Sequence, residues 1–310
     1  MLNVYESVDA NIRKSWLVIA GFVVFVAISI YFLAGALGYF YGYQFSGLSL
    51  AGFAMLISGI TGFASYYYSD QIILSISNAR QVEKRSFFQF YTVTENLCMV
   101  ARIPMPRLYV IEDTAMNAFA TGRDPRHAVI CATTGLLANL NRTELEGVIG
   151  HELSHVSNYD TRLMSLVTVL LGLITLLADW LLRASFFGRS GSDRDNDRGS
   201  FGPVLLIAGL LLALLSPIIA QLIQLAISRR REFLADANSV KFTRQPGGLI
   251  SALKKIALDK EPLEAANKAT AHLYISNPLK NHQDSIGWFA GLFNTHPPVE
   301  DRIKILQQMA

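Results

Sequence analysis

Charge is scarce in this chain. Asp, Glu, Lys and Arg together make up 16% of 310 residues, and the mean hydropathy is +0.32, values that point away from an ordinary water-soluble enzyme. Cysteine is scarcer still: Cys98 and Cys131 stand alone, without C-x-x-C spacing. They read as small core residues, reduced in a chain that faces the cytoplasm, and not as metal or redox groups. The net charge of +3 is too mild for a nucleic-acid surface and reads as membrane topology and headgroup contact. There is no internal repeat and no Gly-rich phosphate loop. A signal peptide is not expected either, because the first apolar block is too long for an h-region; it reads as a retained anchor.

What the chain has instead is long apolar runs. Residues 16–43 and 45–69 contain no charged side chain, and each exceeds the roughly 20 residues needed to cross a bilayer core. A third block covers 163–187 and a fourth 201–227, the fourth with Pro217 as a kink. The third is interrupted by Asp179 and Arg183, spaced to pair across one helical turn. Basic residues precede the first block at Arg13 and Lys14, fill the segment from Arg80 to Arg162, and follow the fourth at Arg229, Arg230 and Arg231. All fall on one side if the chain crosses four times, which puts that side in the cytoplasm. The expected organisation is a membrane hairpin (1–70), a first catalytic part (71–162), a second hairpin with a polar loop at 188–200 (163–227), and a second catalytic part (228–310).

Chemistry is concentrated in His151-Glu152-Leu153-Ser154-His155. Positions four apart share a helix face, so His151 and His155 can present two imidazoles to one tetrahedral metal while Glu152 points at its water. Asn141, followed three residues later by Glu144, marks the helix start as a capping box. Glu232 and Asp236 repeat the spacing of four, one suited to be a third ligand and the other to orient a histidine. His155 lies just before the third block and Glu232 just after the fourth, so a shared metal requires zero or two crossings between them.

Around this motif the sequence predicts a helix over 72–97, then short strands at 107–111, 117–121 and 128–132 that form a small sheet. The small residues Asn117, Ala118, Phe119, Ala120 and Thr121 would let a substrate strand pair along a sheet edge; an ordinary strand packed on the helix is the other reading. A helix is expected near 248–258 and a last one after Pro297-Pro298, with Val299, Ile303 and Leu306 on its apolar face. His127, His272 and His282 read as surface residues. His296, held by its proline neighbours, could donate to a developing oxyanion, or could merely cap or pack.

These elements, in this order, resemble the HtpX family of bacterial membrane zinc metalloproteases, relatives of the type 1 CAAX prenyl proteases. The resemblance spans nearly the whole chain: two N-terminal apolar blocks, the 117–122 run, His151 to His155, a further apolar pair, Arg230-Arg231-Glu232-Phe233 with Ala235-Asp236, and Thr295-His-Pro-Pro298 with Arg302. It implies a mainly α integral membrane protein of about four transmembrane helices with a zincin-like α+β domain. It implies one Zn2+ per chain, held by His151, His155 and Glu232, with Glu152 as catalytic base. It further implies cleavage of unfolded or damaged proteins at the cytoplasmic face of the bacterial inner membrane. A prenyl-protein peptidase and a non-catalytic membrane adaptor clipped by zinc are the rival readings.

Overall fold

Apolar runs with few helix breakers fold as two long helices, α1 (Val4–Tyr41) and α2 (Gly47–Ile76). The computed structural model describes residues 4–41, 46–187, 229–259, 261, 263, 270, 273–275 and 297–309. The expected fourth block, the loop 188–200 and His296 lie outside them, as do His272 and His282. Two stretches, Asp9–Phe32 and Gly47–Ile76, are long and apolar enough to cross a membrane, and only 11% and 22% of their most apolar windows is buried within the protein. Core helices of a water-soluble domain would be covered. Here Leu17, Phe32, Leu48 and Phe63 face outward among the described residues, an apolar surface far larger than water tolerates.

The helix expected over 72–97 is two helices with a strand between them. Helix α2 ends at Ile76, Asn78 takes a left-handed φ of 49°, and β1 (Arg80–Gln81) pairs antiparallel with β2 (Arg107–Ile111) through Arg80↔Val110 and Gln81↔Tyr109. Only then does α3 (Phe88–Ala101) begin. Asn tolerates the left-handed region better than most residues, so the chain turns there and offers backbone to the sheet.

The sheet continues with β3 (Ala118–Thr121) and β4 (Val129–Thr133), in the order β1-β2-β4-β3. Strands β2 and β4 are parallel; the other pairings are antiparallel. Alternation of side chains splits the sheet between two cores. Leu108, Val110, Ala118, Ala120, Ile130 and Ala132 face α3 and α5 (Arg142–Ser157), whereas Ile111, Phe119 and Cys131 face Ile73 of α2 and Leu163, Met164 and Val167 of α6 (Asp160–Phe187). One side thus packs on the motif helix and the other on the near ends of α2 and α6. Arg107 of β2 also pairs with Asp70 of α2.

Helix α6 lies along α1 and α2, with Leu166, Leu170 and Ile174 against Phe22, Val18 and Tyr66. Its Asp179 and Arg183 pair at 2.7 Å on an exposed face, as their spacing suggested. A short helix, α4 (Thr134–Asn139), leads from β4 towards α5. On the other side of α5 pack α7 (Arg229–Thr243) and α8 (Pro246–Leu258). Helix α9 (Val299–Gln307) seats Leu306 in a cluster with Leu249 and Leu253, flanked by Val299 and Ile303.

Candidate metal centre

The helix that carries the motif starts as its sequence dictates. Asn141 Oδ1 accepts from the Glu144 N–H at 3.0 Å, and the Asn141 N–H donates back to Glu144 Oε2 at 2.9 Å, a reciprocal cap contributing about 1 kcal/mol. Glu144 is buried; burial raises its pKa, but hydrogen bonds from Lys255 and Ser251 overcome this and hold it below its ordinary value. Two glycines on α5 then let the second half of the chain approach. A Cβ on Gly147 would meet the Leu249 backbone at 2.7 Å, and one on Gly150 would meet Ser239 Oγ at 2.8 Å. The Ser239 hydroxyl uses this closeness to donate to the Gly147 carbonyl at 2.6 Å. Helix α7 is thereby held against α5 with Glu232 and Asp236 facing the histidines.

The result is a triangle of ligand atoms. His151 Nε2 and His155 Nε2 stand 3.1 Å apart; Glu232 Oε2 is 3.5 Å from the first, and Oε1 is 3.4 Å from the second. Ligands about 2.0–2.1 Å from a tetrahedral zinc are separated by about 3.3 Å, so the spacing of these three residues suits such an ion. All three are buried.

Each ring is oriented from behind. His151 Nδ1 lies 2.9 Å from Asp236 Oδ1, so Asp236 orients His151, a choice the spacing had left open. His155 Nδ1 lies 3.2 Å from Asp160 Oδ2. A carboxylate at Nδ1 keeps the proton there and leaves Nε2 free to ligate. The carboxylates are themselves gripped: Arg302 donates to Asp236 through Nε at 2.9 Å and Nη2 at 2.6 Å, and Arg231 Nη1 donates to Asp160 at 3.0 Å. Neither Asp160 nor the roles of Arg231 and Arg302 were read from the sequence. Asp160 follows His155 by five residues, beyond the end of α5, and reaches it because Tyr159 turns the chain at a left-handed φ of 60°. A buried ion pair on the otherwise amphipathic α9 has no periodic signature.

Charge gives a second test of fit. Glu152, Asp160, Glu232 and Asp236 are buried carboxylates; the guanidiniums beside them are Arg302, wholly buried, and Arg231 at the rim. The buried carboxylates outnumber these guanidiniums, an excess that favours a bound cation. Without a metal, protons serve instead. Burial and the neighbouring Arg302 push His151 down, yet its bonds to Asp236 and Glu232 outweigh them and hold its pKa at about 9. His155 is likewise raised, burial being overcome by Glu232 and Asp160. Asp236 sits at about 2, because Arg302 and His151 outweigh its burial. Arg302 resists burial through Asp236, Glu232 and Glu152.

Glu152 is buried on α5 between the two histidines in sequence. The 117–121 stretch becomes the edge strand β3, beside α5. Asn117 accepts from Thr133 N–H across the β4 side, so by alternation the backbones of Ala118 and Ala120 face away from β4. Ala118 is already engaged there, its carbonyl accepting from Ile275 N–H at 3.0 Å. His127 is exposed and pairs with Asp124, as expected of a surface residue. Cys98 and Cys131 are buried; burial pushes Cys98 up to about 12 and raises Cys131 further still.

Against known proteins, the pattern of Peptidase family M48 matches residues 84–310. A protein named Protease HtpX homolog from Dictyoglomus thermophilum is 43% identical, covering 98% of this chain and 94% of its own. Another of that name from Ligilactobacillus salivarius is 41% identical, covering 98% and 99%. A looser likeness is to the crystal structure of S. mikatae Ste24p, at 17% identity and a TM-score of 0.45 over 98% of this chain and 66% of that one. With a family pattern across most of its length and relatives alike from end to end, the chain belongs to peptidase family M48 and, within it, to the HtpX proteases.

Proposed function

We propose that this protein is a membrane-anchored zinc endopeptidase that hydrolyses peptide bonds of unfolded or damaged proteins, its active site opening to the cytoplasmic face of the bacterial inner membrane. The observation that carries this reading is the buried triangle of His151, His155 and Glu232 beside a carboxylate, Glu152, that the triangle does not use as a ligand. A purely structural zinc needs a closed shell and no base.

Zinc, when bound, supplies Lewis acidity, acidifying a water and polarising the scissile carbonyl. Glu152 takes the proton from the attacking water and returns it to the leaving amine, so that one proton moves from water oxygen to amide nitrogen as the C–N bond breaks. Asp236 and Asp160 keep the proton of each histidine at Nδ1 throughout. A substrate strand is expected to add at the outward backbone of Ala120, beyond the Ala118 carbonyl that Ile275 occupies. His296 is the candidate oxyanion donor. The architecture in this reading is a zincin-like domain split by a second membrane hairpin, four spans in all; the packing of α6 along α1 and α2 supports the third. The distribution of basic residues supports the cytoplasmic orientation.

The experiment is cleavage of an unfolded protein such as casein by the detergent-purified chain, beside Glu152→Gln and a chelated sample. Glu152→Gln should retain one zinc per chain and lose turnover by at least about 100-fold, the usual scale of a general base. Turnover that survives that substitution would refute the mechanism.

A further inference from the structure

We propose that Asn11, on the first membrane helix, is a positioning residue for the metal centre, acting through Asp160 on His155. This rests on the reading of His155 as a zinc ligand.

Asn11 is 1% exposed, on a helix otherwise built to meet lipid. A buried amide is costly unless its polar atoms are bonded; the Asn11 oxygen Oδ1 meets no hydrogen-bond partner among the described residues, while both donors of its nitrogen are placed on one feature, the turn between α5 and α6. Its Nδ2 donates to Asp160 Oδ1 at 2.7 Å and to the Asn158 carbonyl at 2.8 Å. Arg231 Nη1 donates to the same Asp160 Oδ1 at 3.0 Å. One carboxylate oxygen is therefore filled by two donors, from α1 and from α7. That fixes the rotation of the carboxylate and turns Oδ2 to His155 Nδ1. Arg231 alone would supply charge but would leave the carboxylate held from one side only. Asn11 supplies the opposing grip, and its bond to Asn158 ties that grip to the turn that delivers Asp160. The first membrane helix thus contributes to the metal site as well as anchoring it.

The test is zinc affinity of the full chain in detergent, measured by competition with a chromophoric chelator, for wild type, Asn11→Ala, Asp160→Ala and the double variant. Asn11→Ala should weaken zinc about 10-fold, the lower end for groups that orient a ligand. In the Asp160→Ala background the same change should cost less than about 2-fold, since its route has been removed. Asn11→Asp, nearly the same in shape, puts a second carboxylate against Asp160 and should weaken zinc more than Asn11→Ala does. Equal losses in both backgrounds, or an Asn11→Asp variant that binds like wild type, would overturn the proposal while leaving the zinc site intact. A folded wild type that binds no zinc would overturn the metal centre and this proposal with it.

Discussion

Removing Arg302 is the sharpest test of how the centre is held together. Its side chain is wholly buried, and it makes two hydrogen bonds to Asp236, at 2.9 and 2.6 Å. Arg302→Leu leaves an apolar side chain of smaller volume and abandons the Asp236 carboxylate, whose other charged neighbour is His151. Breaking a buried pair by deleting one partner costs about 3–5 kcal/mol, mostly from the charge left behind. Against a typical domain stability of about 5–15 kcal/mol, that is a large fraction.

The assay is urea unfolding of the purified chain, run on Arg302→Leu, Asp236→Asn and the double variant. Arg302→Leu alone should lose about 3–5 kcal/mol. In the Asp236→Asn background, where no carboxylate is stranded, the same substitution should lose less than half of that. Arg302→Lys, which retains charge but cannot bridge both oxygens, should fall between. The reasoning fails if Arg302→Leu is as stable as wild type, or if its cost is the same whether or not Asp236 carries a charge.

Two further outcomes follow from the same geometry. Gly150→Ala should destabilise by about 1–3 kcal/mol, the range for overpacking, and weaken zinc, because its Cβ would lie 2.8 Å from Ser239 Oγ and 3.3 Å from Ser239 Cα on the helix that carries Glu232; Gly21→Ala, with nothing within 4 Å, is the control, and equal behaviour of the two by thermal unfolding and chelator competition would contradict the packing. The pH response should have opposite signs with and without metal. His151 is raised from 6.5 to about 9 in the metal-free chain, so its stabilisation is complete below 6.5 and is lost as pH rises through 9; zinc needs the unprotonated ring and binds more tightly over that window. Thermal unfolding at both ends, with and without zinc, checks this, and a metal-free Tm that rises between them contradicts it.

The residues that gather at the candidate metal centre were legible in the sequence because they obey a local rule. His151 with His155, and Glu232 with Asp236, are each four apart, so helical geometry alone puts each pair on a face. The cap at Asn141, the strand at 107–111 and the ion pair of Asp179 with Arg183 were legible for the same reason: each depends on neighbours within a few residues. The turn at Asn78 was not, because the apolar spacing on both sides of it is helical. What breaks the helix is the pairing of Arg80 and Gln81 with Val110 and Tyr109, about thirty residues on.

Asp236 was named from its spacing, and only the histidine it meets, His151, 85 residues away, was left open. The groups behind it were hidden for a stronger reason: Asn11 meets Asp160 across 149 residues and Arg302 meets Asp236 across 66. Asn11 looks like the polar flank of a membrane helix, and Arg302 like the wet side of an amphipathic one. Each is recognisable only once folding has buried it. This division has a physical cause: two imidazoles on one helix turn can bind a metal weakly in an unfinished chain, whereas the carboxylates that fix their tautomers arrive from α6 and α7, and the groups that grip those carboxylates from α1, α7 and α9. Zinc affinity should therefore depend on assembly of the whole chain, with residues near both ends, Asn11 and Arg302, setting the geometry of a site whose ligands lie between them.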